Sequence, residues 1–70
     1  MKIEIMTLEL DGTKETDIYT SDKLDALATD PNTKLPFNWP MIKTLLLQGM
    51  VQVAPASNTS VAYLITHLYD

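Results

Sequence analysis

His67 is the only histidine in this 70-residue chain, and Asp70 follows three residues later. That pair is the first place to look for a metal or proton-transfer centre. A catalytic zinc wants three protein ligands around an open position. Near His67 the sequence supplies only Asp70, so a structural histidine at the end of a strand accounts for it better. Ser57, Ser60, His67 and an aspartate can be combined into a Ser-His-Asp set, but no Gly-x-Ser-x-Gly elbow surrounds either serine. Asp11-Gly12-Thr13-Lys14-Glu15-Thr16-Asp17 resembles a calcium loop in composition only. It lacks alternating oxygen ligands before the glycine and a glutamate six residues after it. Asp22 and Asp25 would be neighbours on a helix. Acid–base work would require a desolvated cleft that splits their pKa values, and a solvated helix face explains them more simply. With two glycines in all, no phosphate-cradling loop exists. The residues therefore argue against an enzyme, and they call for no cofactor and no metal.

The composition narrows the field further. Five lysines, no arginine and nine carboxylates give a net charge of −4. Nucleic-acid affinity comes largely from Lys and Arg neutralising phosphates, so this balance argues against a nucleic-acid partner. No run approaches the ~18 apolar residues of a membrane span. Glu4 and Glu9 interrupt the stretch where a signal peptide would carry its apolar region. The reading is a cytoplasmic protein, and the glycosylation-like triplet Asn58-Thr59-Ser60 is then a chance match. There is no cysteine, hence no disulfide or thiolate zinc site. A chain this short buries only roughly 60% of its unfolded surface, so one small domain with little stability margin is expected.

The charge is unevenly placed. Residues 1–34 carry four lysines and eight carboxylates, while residues 35–70 hold only Lys43 and Asp70. The second half also carries 20 of the 32 apolar residues. It must supply most of the core or face a partner.

Ile3, Ile5, Leu8 and Leu10 predict a strand over about 2–10, with a change of phase between Ile5 and Met6. Either both faces of that strand are covered or a bulge sits there. Asp11-Gly12 predicts a two-residue hairpin turn, leading to a polar edge strand over 14–20. Thr20 or Ser21 caps a helix over 22–29, which Asp30-Pro31 ends. Asn38 caps a second helix over 39–48 with Pro40 in its first turn and Gly49 as its C′ residue. Trp39, Met41, Ile42, Leu45 and Leu46 form its apolar side, and Leu47 sits on the opposite, polar side. Met50 to Ala54 reads as a strand and residues 55–60 as a turn-rich loop. Residues 61–69 are apolar on both parities. Their branched and aromatic residues favour a strand covered on both faces, although a helix with stripe Val61, Leu64, Ile65 and Leu68 also fits. The fold class is α+β: a single domain over residues 1–70, ordered β-β-α-α-β-β, with an antiparallel sheet and two helices on one face.

Ser21 to Ala28, then Ile42 to Val51 with its Gln48-Gly49-Met50-Val51 step, then Tyr63-Leu64-Ile65-Thr66, resemble winged-helix domains over about residues 20–66. That resemblance implies a winged-helix-like variant of the fold and, as one function, a DNA-binding transcriptional regulator. Lys43, Thr44 and Gln48 would then read base edges alone, and residues 55–60 would form a wing without a basic residue. The departures favour a protein-binding use.

The leading expectation is a small non-enzymatic interaction module: an adaptor, an inhibitor, a subunit of an assembly or a phage-type accessory protein. It would bind a protein partner, or itself as a homodimer, through an uncharged apolar surface. Leu47, with Lys43 and Thr44 beside it on the helix and Tyr69 at the end of the last strand, are the candidate interaction residues.

Overall fold

A computed structural model of the chain describes residues 1–57 and 59–68. Tyr69, like Asn58 and Asp70, lies outside the described residues.

The order of elements is the expected one. Strands β1 (Lys2–Leu8) and β2 (Lys14–Thr20) precede helices α1 (Ser21–Thr29) and α2 (Trp39–Leu47), and strands β3 (Gln52–Val53) and β4 (Ala62–Leu68) follow. One antiparallel sheet results, in the order β2-β1-β4-β3. Residues 62–68 thus enter the sheet as a strand rather than a helix. Among the described residues no helix is long and apolar enough to cross a membrane.

The first hairpin turns differently from a two-residue Asp-Gly turn. Glu9 N–H donates to the Thr13 carbonyl, and Gly12 N–H donates to the Glu9 carbonyl. Only Gly12 has a positive φ there, at 89°. This is a turn over Glu9–Gly12 followed by a glycine bulge, a standard longer hairpin connection. Hydrogen bonding from the Thr13 side chain, and then from Thr13 N–H at 2.9 Å, holds the Asp11 carboxyl pKa below its ordinary value. Leu10 therefore belongs to the turn and not to β1. Gly12→Ala is expected to destabilise the protein by about 1 kcal/mol, since a Cβ is disfavoured in this conformation. Open space around the glycine means that no clash adds to this, and a urea titration of the variant reads the cost.

The helix ends follow local chemistry. Thr20 caps α1, accepting from Lys23 N–H, and Asn38 caps α2, accepting from Met41 N–H. At the end of α2, Gly49 N–H donates to the Leu46 carbonyl and Met50 N–H to the Leu45 carbonyl, with Gly49 at φ 105°. That is a Schellman motif. It uses up Gly49 and Met50, so β3 is only two residues long instead of reaching from Met50 to Ala54.

Both helices pack on one face of the sheet. Ile3 and Ile5 of β1 and Ile65 of β4 meet Leu24 of α1 and Trp39, Ile42 and Leu46 of α2, with Phe37 from the connecting loop. Five of these eight core residues come from the second half of the chain, as its composition implies. Met41 is not among them. It is 52% exposed, because it lies at the margin of the α2 stripe.

Candidate interaction surface

Because the strand period is two, the residues between the core positions must face away from the helices. On β1 these are Lys2, Glu4, Met6 and Leu8. The register carries β1 unbroken from Lys2 to Leu8 against both neighbours, so no bulge reverses the faces. Two nine-residue helices lie against the other side, and no described element covers this one. For β1 neither expected alternative holds, since it has no bulge and is covered on one face, and the expectation that β4 is covered on both faces is corrected in the same way.

The uncovered face is apolar toward the turn end of β1. Met6 stands directly across from Leu64 of β4, Leu8 from Ala62, and Ile18 of β2 lies opposite Glu4. Ile18 is 54% exposed and Leu8 38%, while Met6, Leu64 and Leu68 are half-buried by their neighbours alone. By register Glu4 is the only acidic strand residue on this face, and it also carries Lys2, opposite Leu68, and Lys14, opposite Leu8. The other two carboxylates on the described strands, Glu15 and Asp17, point to the helix side.

The anticipated residues on α2 are arranged differently from one another. Leu47 is 69% exposed and lies close in sequence to Met50 and Val51, also exposed. Thr44 is exposed, but its hydroxyl donates to the Pro40 carbonyl at 3.0 Å. Lys43 is turned toward α1, where its ammonium meets the Asp25 carboxylate at 2.8 Å. The other oxygen of Asp25 accepts from Trp39 Nε1–H, also at 2.8 Å. Asp25 is therefore a brace between the helices rather than half of an acid–base pair with Asp22, and the only cation on α2 is already matched.

The hydrogen bonds from Lys43 and Trp39 hold the Asp25 pKa below its ordinary value. A carboxylate lowered in this way stabilises the fold above its unfolded pKa, and the contribution is lost as pH falls through the lowered folded value. Asp25→Asn should keep an acceptor for Trp39 while removing the charge. The expected result is a lower urea midpoint at neutral pH and a shallower loss of stability on acidification below about pH 4. Parallel wild-type and variant curves would show that Asp25 is not part of the acid transition.

His67 is half-buried beside Gly49, Met50 and Val51, and its backbone N–H donates to the Val51 carbonyl at 2.8 Å. Among the described residues no three His, Cys, Asp or Glu side chains converge as a metal site.

On the helix side, a cleft of about 130 Å³ opens between the hairpin, α1 and the loop after it. Ile5, Leu24, Leu27 and Leu35 contribute apolar walls, and Tyr19, Phe37 and Tyr63 contribute rings. Phe37 and Tyr63 meet edge to face, centroids 5.5 Å apart. Neither this cleft nor the open sheet face is among the interaction residues expected from the sequence. The open face has a signal in the apolar residues of both parities in β1 and β4. The cleft depends on how residues 35–37 drape over the sheet, which no periodicity reports.

No family model matches the chain, and neither a curated protein nor a solved structure matches it.

Proposed function

We propose that this chain is a small non-enzymatic protein-interaction module that binds a partner protein, or a second copy of itself, through an uncharged apolar surface. The observation that carries this reading is the uncovered sheet face, where Met6 and Leu8 meet Leu64 and Ala62 directly across the strand pair and Ile18 and Leu68 flank them, with Lys2, Glu4 and Lys14 as the charged strand residues of that face. An exposed apolar patch of this kind marks association surfaces in soluble proteins. A sheet face can be buried by a second layer about 10 Å away, as in two-layer β structures. Leu47, Met50 and Val51, each exposed and close in sequence, add apolar surface at and after the end of α2.

The test is a pair of variants measured for solution mass and for retention of a purified partner. Leu8→Glu with Ile18→Lys is expected to abolish association while the fold persists. Leu47→Asp is expected to weaken it less. Loss only in Leu47→Asp would transfer the interface to α2, and association unchanged in both would remove the reading.

A further inference from the structure

We propose that the cleft between the hairpin, α1 and residues 35–37 is a binding site for a lysine side chain presented by a partner protein. The site lies on the helix-covered side of the sheet. It stands apart from the open-face reading, and either can fail without the other.

Three features of the cleft select this occupant. Its size comes first. An apolar cavity of about 150 Å³ takes a benzene-sized group, so about 130 Å³ suits a four-carbon stem with little to spare. The lining comes second. The deep walls from Ile5, Leu24 and Leu27 are apolar, while Tyr19, Phe37 and Tyr63 offer aromatic faces. A cation held within about 6 Å of such a ring is attracted by its quadrupole. The charge comes third. Asp17 lines the same cleft, and it is exposed, which places its carboxylate at the rim.

Asp17 reaches this position through the register. It pairs with the buried Ile5, so it points to the helix side, but it stands on the edge strand β2 beyond the cover of α1. Among the described residues no side chain pairs with its carboxylate. Glu15, two residues back and exposed, points the same way and deepens the negative potential at the mouth. Asp25, by contrast, already has its lysine. An aliphatic stem ending in a cation buries its methylenes while keeping its head in water, and this cleft provides both surroundings in the right order.

The experiment is an NMR titration of the isotopically labelled chain with three capped tripeptides, acetyl-Gly-X-Gly-amide, where X is lysine, norleucine or arginine. The lysine peptide is expected to bind in the millimolar range, with shifts centred on Ile5, Leu24, Leu27 and Tyr63. Norleucine has the same four-carbon stem without the ammonium and is expected to bind at least about fivefold more weakly. Asp17→Asn is expected to weaken the lysine peptide toward the norleucine level and leave norleucine unchanged. Its unaltered urea midpoint will show that the fold is intact. Leu8→Glu with Ile18→Lys is expected to retain lysine binding. Equal affinity for lysine and norleucine, no effect of Asp17→Asn, tighter binding of arginine, or no shift in the cleft would each overturn the proposal.

Discussion

Trp39→Ala is expected to remove roughly 3–5 kcal/mol, about half of the chain's stability, in water at 25 °C. Trp39 is 1% exposed at the centre of the only core the described residues form. It is the largest of the fully buried side chains. Truncating a buried Trp costs roughly 3–5 kcal/mol in lost burial and residual cavity. A domain of this size has in total about 3.5–10 kcal/mol of stability, at ~0.05–0.15 kcal/mol per residue. No disulfide offsets the loss, since the chain has no cysteine. The substitution also removes the Nε1–H donor that α2 offers to Asp25, so the brace between the helices keeps only Lys43. Far-UV circular dichroism with a urea titration decides the matter. Trp39→Phe is the control: it keeps most of the volume, gives up the hydrogen bond and part of the ring, and should remain folded with a lower midpoint. A cooperative Trp39→Ala transition near the wild-type midpoint would show that the core does not depend on this ring.

Features decided within a few residues are legible in the sequence alone. Thr20, Asn38 and Gly49 do their work through bonds spanning three to five positions, and their chemistry names them. The order of elements follows because those caps and the Asp30-Pro31 stop separate the periodic segments. The hairpin turn is ambiguous for a different reason. Asp-Gly suits both a two-residue turn and a glycine bulge, and the bond from Glu9 to Thr13 decides between them. Coverage of the sheet escapes local reading because it is set by the whole molecule. A strand with apolar residues on both parities looks doubly buried, yet two short helices suffice for only one side. Lys43 illustrates the same limit at the level of a single side chain. On the helix it looks available to a partner, but its counter-ion is 18 residues away in sequence, on α1. The cleft has no local signature either, since it joins residues from both strands of the hairpin, α1, the loop and β4.

The uncovered face leads to the second large effect, in association rather than folding. Leu8→Glu combined with Ile18→Lys is expected to weaken binding to a partner or a second copy by at least about a hundredfold, with stability within about 1 kcal/mol of wild type. The design follows from the register. Leu8 stands opposite Lys14, and Ile18 opposite Glu4. Each new charge therefore meets its opposite directly across the strand pair, where such pairs are mildly favourable. Net charge stays at −4, so altered long-range repulsion cannot account for the change. Both side chains are exposed in the free chain, which leaves the core untouched. In a complex the situation reverses. Fully burying a Leu or Ile side chain is worth roughly 1.5–3 kcal/mol, and these two have about half of that still to gain. Their replacements would bring two charges out of water in the middle of an apolar contact, where desolvation costs several kcal/mol per ion unless the pairing survives intact. A loss of about 2.8 kcal/mol already corresponds to a hundredfold. Sedimentation equilibrium across concentration, paired with urea titration of the same samples, separates the two effects. Unchanged mass with unchanged stability would mean that the bare face is simply solvated.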